Sequence, residues 1–354
     1  MRICLVGTGV QPIPPTGYGG VERTLAEFGR ALEAAGHTVV IINEVRHGRS
    51  RDEYAFARGL VRKLGPGPFD VVHASTPVVA NRLAWGGVPF VYTTHSRHWF
   101  QAERWSERWG AWLERRAVRR AAATVALTDR LARQIQDVCG THGPRRMTVI
   151  PIGVDLDRFA PDWAARTGRR ALGVGVVLPM KRWELAAAAL RGTNVSLTIV
   201  GPTPDPEYAA RVRAAGDQVT LLGEIDDPAL TRLYAESDLL IHPSRVELLA
   251  GVVLQGLAAG LPVLGAEPIA GLVDDGVTGF LAPASADADG VTRSLAAAVR
   301  TLQDDPVRRR TMGAAARKVA AERFGWPAVV AAHTALYESL IAEGALSRRR
   351  SPSP

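Results

Sequence analysis

Three stretches of this sequence hold side chains suited to chemistry on a phosphate or a polyhydroxyl ligand. In PPTGYGGVERTL the pair Gly19-Gly20 stands where a strand gives way to an amphipathic helix. Bare backbone there either lets a ligand approach the helix's free N–H groups, an arrangement that draws anions, or simply lets the loop turn. In GVGVVLPMKRWEL a strand ends, a proline breaks it, and Lys181 stands at the next helix start. Its ammonium can follow a phosphate as a point charge with the helix dipole behind it, although alone it would pass for a solvated lysine. Of 43 basic residues only Lys63, Lys181 and Lys318 are lysines, which makes each conspicuous. In IHPSRVELLAGVVLQGLAAGLPV, Glu247 opens a helix too apolar to be exposed. A carboxylate there either caps its own backbone or recognises ligand hydroxyls.

Two other motifs fail on inspection. The glycines Gly7 and Gly9 invite a dinucleotide reading, but Pro12 occupies the third glycine position and Pro14 and Pro15 follow, so no helix can open there to receive a pyrophosphate. The DLD at Asp155 to Asp157 has the look of a metal-binding DxD, yet it lies in the connection between the two halves of the chain, and no obligatory metal is expected.

The elements that must position these residues alternate along the chain. RICLVG, TVVIIN, FDVVHA, FVYTTH, TVALT and MTVIP read as strands separated by helical patterns, which predicts a parallel sheet with crossover helices. The helix after Gly20 places Val21, Leu25, Phe28, Leu32 and Ala35 on one face and Glu22, Arg23 and Glu33 on the other, and stops at Gly36. The polar stretch APDWAARTGRRA reads as a linker. A second series, ALGVGVV, VSLTIVG, VTLLG, LLIHPS, PVLGA and GFLAP, then alternates with further helices. The chain is therefore expected to be α/β, two doubly wound parallel-sheet domains facing across a cleft, with ligands beyond the carboxyl ends of the strands.

Composition agrees with that architecture. The 354 residues, 47% hydrophobic and 22% charged, suffice for two cores. Cys4 and Cys139 sit in apolar contexts without metal or disulfide spacing, in keeping with a reducing cytoplasm. Residues 248–266 hold only Gln255 as a polar side chain, but Gly260, Pro262 and Gly265 divide them into a buried helix and a buried strand rather than a membrane span. Residues 1–165 carry 22 Lys and Arg against 15 Asp and Glu, and the remainder 21 against 20, so the first half is the basic half. It holds no recognisable nucleic-acid reader, and no nucleic-acid partner is expected. Trp105, Trp109 and Trp112 recur at helical spacing among arginines. They are read first as a stripe packed on the domain, with peripheral contact to a membrane as the second reading.

Together these residues carry a resemblance. GYGGVERTLAEFGRALEAAGHTV, TTHS, VIPIGVDLDRF, PMKRWELAAAAL, LTIVG, VTLLGEIDDPALTRLYAESDLLIHPSRVE, AAGLPV and LVDDGVTGFLAP, in that order, resemble a retaining glycosyltransferase of family 4 with the GT-B fold, from Arg2 to about Glu343. The resemblance implies a Rossmann-like acceptor domain over 1–165, a nucleotide-sugar domain over 166–326, a helix over 327–343 returning to the first domain, and a disordered basic tail over 344–354. It makes Lys181, Glu247 and His95 the catalytic residues: Lys181 neutralising the leaving diphosphate, Glu247 binding sugar hydroxyls, and His95 beside the transferred sugar. Gly19, Gly20, Gly251 and Gln255 join Lys181 and Glu247 as donor-binding residues, with Gln255 facing the ribose. The substrates implied are a UDP- or GDP-linked sugar and an acceptor that is a lipid carrier, a polysaccharide or a small natural product, with no cofactor beyond the nucleotide sugar.

The sequence also departs from the family. Gln255 replaces the second glutamate of the family's acidic pair, Val176 stands where arginine is frequent, Leu249-Ala250 replaces an aromatic-glycine pair, and the donor loop is shortened to EPIAG. Gln255 can bond a ribose as donor and acceptor but cannot accept from two hydroxyls as a carboxylate does. These changes imply a retuned donor pocket, or, as the alternative, a non-catalytic member acting as a nucleotide-binding scaffold for a partner.

Overall fold

The computed structural model of the chain describes residues 1–15, 19–45, 52–65, 69–95, 105–247, 250–269 and 271–347. It divides into two compact units, Met1–Gly153 with Trp326–Pro354, and Val154–Gly325.

In the first unit the strands β1 (Arg2–Val6), β2 (Thr38–Ile42), β3 (Val71–Ala74), β4 (Val91–Thr93), β5 (Ala123–Ala126) and β6 (Met147–Val149) form one parallel sheet in the order β2-β1-β3-β4-β5-β6. The helices α1 (Gly20–Ala34), α2 (Asp52–Leu64), α3 (Pro77–Trp85), α4 (Trp105–Arg120) and α5 (Asp129–Cys139) connect them. In the second unit β7 (Arg170–Val174), β8 (Ser196–Val200), β9 (Val219–Gly223), β10 (Leu239–His242), β11 (Val263–Ala266) and β12 (Gly279–Ala282) are parallel in the order β12-β11-β10-β7-β8-β9. Here α6 (Trp183–Ala189), α7 (Pro206–Ala214), α8 (Asp227–Glu236), α9 (Gly251–Ala258), α10 (Ala288–Gln303) and α11 (Pro306–Val319) cover the sheet. All twelve strands overlap the apolar runs read as strands in the sequence. Continuous apolar runs such as Leu239-Leu240-Ile241 are what a parallel strand buried on both faces requires.

The chain's last helix, α12 (Trp326–Ala342), belongs to the first unit. Its Val329, Val330, Leu336, Tyr337 and Leu340 share a core with Ile3, Leu5, Leu25, Phe28 and Leu32. Buried polar contacts run alongside: His73 Nδ1 meets the Tyr337 hydroxyl at 2.6 Å and its Nε2 meets Thr93 Oγ1 at 2.7 Å. Residues 344–347 close a turn with Leu346 against this core, and the tail beyond 347 lies outside the described residues. Residues 154–165 group with the second unit, because Val154 N–H bonds Phe324 O at 2.8 Å and Asp162 N–H bonds Ala235 O at 3.1 Å.

Two expectations about helices need correction. Glu22 does not face solvent. It is buried, and its Oε1 accepts from Thr8 Oγ1 at 2.6 Å, because the loop after β1 folds over the first turn of α1 and supplies a partner that helical periodicity cannot anticipate; Ala35, one residue beyond the helix, is exposed instead. The tryptophans of α4 are not packed inward either. Trp109 and Trp112 remain 48% and 45% exposed and stack on each other at 4.9 Å, while Ala111, Leu113, Ala117 and Val118 form the inner face. The side chain of Trp105 lies outside the described residues.

Candidate active site in the second unit

The order of the second sheet reverses between β7 and β10, and a crevice opens beyond the carboxyl ends of strands where neighbours send their connections to opposite faces. The loops leaving these two strands carry Lys181 and Glu247. After β7 the chain passes Pro179 and makes a single 3-10 turn, Pro179–Lys181, before Arg182 takes a left-handed φ of 55° and α6 begins. After β10 it passes Pro243 and Ser244, and Ala250 takes a left-handed φ of 38° before α9. Glu247 therefore precedes α9 rather than opening it, and does not cap it.

The two loops are laced together. Arg245 N–H donates to Met180 O at 2.9 Å, and Arg182 Nε donates to Pro243 O at 2.6 Å. Lys181 Nζ then reaches Glu247 Oε2 at 2.7 Å, with both side chains 14% exposed. The same oxygen lies 2.7 Å from Nε2 of His242, the last residue of β10. Burial works to raise the Glu247 carboxyl. It is outweighed by the hydrogen bond and field of His242 and then by those of Lys181, so the group is drawn down to about 2 and stays ionised at neutral pH. His242 had no signal in the sequence: β10 is buried on both faces, so no alternation marks one residue of LLIH as special.

Behind the pair the support is rigid. Trp183 donates from Nε1 to Val176 O at 3.1 Å and from its backbone N–H to the Tyr208 hydroxyl at 2.8 Å, and Tyr208 in turn donates to Glu184. Gly201, just past β8, has a φ of 146°, and a Cβ there would stand 2.3 Å from Gly175 O, so these two strand ends approach only because the position is glycine. This arrangement presents a cation, a carboxylate and backbone groups on adjacent loops, which suits a ligand with a phosphate at one end and hydroxyls at the other.

The remaining sequence candidates lie as follows. Gly251 begins α9 and Gln255, half-buried, lies one turn further on. In the first unit Gly19 is extended ahead of α1, and a Cβ on it would stand 2.7 Å from Gln11 Oε1; a Cβ on Gly20 would meet nothing within 4 Å. His95 follows β4, with Nδ1 buried and unpartnered among the described residues, and burial lowers its imidazole to about 4. Asp155 accepts from the N–H groups of Asp157 and Arg158, a local turn. Among the described residues no group of three or more His, Cys, Asp or Glu is placed to hold a metal ion.

Two family models match the chain, Glycosyltransferase Family 4 over residues 18–158 and Glycosyl transferases group 1 over residues 174–305. The D-inositol 3-phosphate glycosyltransferase of Kineococcus radiotolerans is 32% identical over 68% of this chain and 62% of its own length, so the match spans less than two thirds of that relative. The enzyme of the same name from Geodermatophilus obscurus is 31% identical over 81% of this chain and 72% of its own. Among solved structures, Anabaena HepE in complex with UDP and glucose superposes with a TM-score of 0.72 over 96% of this chain and 100% of that one, at 20% identity. The chain belongs to glycosyltransferase family 4, with the GT-B fold.

Proposed function

We propose that the chain transfers a sugar from a UDP- or GDP-linked donor to a hydroxyl of an acceptor, with the anomeric configuration retained and without a metal. The observation that carries this reading is the Lys181–Glu247 contact at the switch point of the second sheet. In the reaction the bond from the anomeric carbon to the diphosphate oxygen breaks and its electrons leave with the diphosphate. The acceptor oxygen bonds on the same face, and its proton passes to the departing phosphate. Lys181 stabilises the charge that builds on that phosphate, Glu247 and Gly251 hold sugar hydroxyls, and Gln255 bonds the ribose. His95 is assigned to the transferred sugar, and Gly19 and Gly20 to close approach of the backbone to a ligand. The buried Glu22 carboxylate beside them tips that approach toward a hydroxyl-bearing group rather than a phosphate. Retention of both Lys181 and Glu247 in contact speaks against the scaffold alternative.

For the acceptor, the two relatives are named for an inositol phosphate, which favours a small polyol or its phosphate, beside the lipid-carrier and polysaccharide classes. A second reading of surface contact rests on Trp109 and Trp112: half-exposed and flanked by Arg108, Arg116, Arg119 and Arg120, they suit a peripheral contact with an anionic membrane on its cytoplasmic side. No helix among the described residues is long and apolar enough to cross a membrane.

A panel of UDP-, GDP- and ADP-sugars screened by thermal shift and then by turnover tests the reading, since a ligand bound only by the folded state raises Tm. Lys181→Ala should lower turnover at saturating donor by a factor equivalent to about 3 kcal/mol while the fold persists. Native turnover in the Lys181→Ala variant would remove the assignment.

A further inference from the structure

The candidate site contains an imidazole with one polar side-chain contact among the described residues. His242 is buried at the end of β10 among Leu239, Leu240 and Ile241, with the Trp183 ring edge-on at 6.3 Å. Its Nδ1 is buried and has no hydrogen-bond partner among the described residues, so the bond from Nε2 to Glu247 is the polar return on burying this ring. An aliphatic residue would fill the strand at lower desolvation cost. The two groups that share Glu247 Oε2 differ in freedom. Lys181 stands on a flexible four-carbon stem beside a loop, whereas His242 is fixed in the sheet at a register opposite Gly265.

This difference matters when an anion arrives. A diphosphate draws the Lys181 ammonium, and a half-buried carboxylate left without that counter-charge would turn toward solvent or away from the phosphate unless a second donor held it. Building on the transfer reading above, we propose that His242 is the positioning residue of this site: its Nε2–H holds Glu247 against the sheet while Lys181 follows the diphosphate. Lys181 and Glu247 thereby serve different ends of one donor, although they touch each other before it binds.

A double-mutant cycle on the full chain, with the donor that the panel selects and turnover read as release of its nucleoside diphosphate, tests this. His242→Leu should lower kcat about tenfold to a hundredfold and leave affinity for the corresponding free diphosphate (UDP, GDP or ADP, by calorimetry) within about threefold. His242→Gln, whose amide N–H can stand near the Nε2 position, should recover most of the loss, and His242→Asn, whose shorter side chain cannot reach it, should not. In a Glu247→Ala background His242→Leu should cost less than about twofold, because the residue acts through the carboxylate. Equal losses in both backgrounds, or a Gln variant no better than Asn, would reduce His242 to a packing residue. Should the Leu variant fail to fold, the Gln and Asn pair decides alone. A native chain that turns over no panel donor overturns the transfer reading and this inference with it; native turnover with additive losses overturns only the role of His242.

Discussion

Ala250 is held at a φ of 38°, a left-handed conformation in which its Cβ crowds the backbone, immediately before the helix that carries Gly251 and Gln255. Glycine would take this conformation without that crowding. Ala250→Gly should raise stability by up to about 1 kcal/mol, read from urea unfolding, since relief of the left-handed strain exceeds the entropy that glycine adds to the unfolded chain. A loss of stability instead would mean that the site loops do not need this conformation. Arg182, at a φ of 55°, is the matching case on the other loop, but its guanidinium also bonds Pro243 O, so replacing it would confound strain with lost lacing.

Helices divide by how they begin. α3, α5, α7, α8, α10 and α11 each start with a Thr or Asp whose side chain accepts from a first-turn N–H, contacts worth about 1 kcal/mol apiece, whereas α1, α6 and α9, which follow the candidate loops, start without one. On α4 the aromatic pair makes a separate prediction. The protein should float with vesicles containing anionic lipid at low salt and release at high salt, and Trp109→Ala with Trp112→Ala should abolish floating at unchanged Tm, because neither ring is in the core. Failure to float at low salt removes the membrane reading. Much of this was legible in the sequence: short apolar runs located every strand, a proline after a strand with lysine at the turn pointed to Lys181, and a carboxylate ahead of an otherwise apolar helix pointed to Glu247, the two halves of the ion pair. The rest was not, for physical reasons. Glu22 is buried by a loop from outside its own helix, His242 sits in a strand with no exposed face, and the tryptophans of α4 obey helical spacing on the face opposite the small residues Ala111 and Ala117 that let the helix pack closely.

At the scale of the molecule, His73, His95 and His333, all in the first unit, have imidazoles that burial pushes down. His333 is lowered to about 4 by burial, His95 likewise, and His73 is lowered by burial and then by the two others. Unfolded, each titrates near 6.5. Below that value the unfolded chain binds more protons than the folded one, so stability falls as pH falls from about 6.5 toward 4. Glu247, drawn down from 4.5 to about 2, keeps its contribution above about pH 4.5 and loses it as pH falls from there toward 2. Thermal unfolding should therefore show a lower Tm at pH 5 than at pH 7.5, with a smaller drop in His333→Leu; a flat profile would contradict the burial of these rings. The return of α12 to the first unit has a further consequence, for biosynthesis. Residues 154–325 are contiguous, so the second unit can fold as soon as it clears the ribosome, whereas residues 1–153 lack Val329, Val330, Tyr337 and Leu340 until the end of translation. A fragment of residues 154–325 should give a cooperative unfolding transition, and a fragment of residues 1–153 should not. During synthesis the half made first is then the half completed last, and its exposed β1, β3 and Phe28 surfaces are the ones that a chaperone would meet.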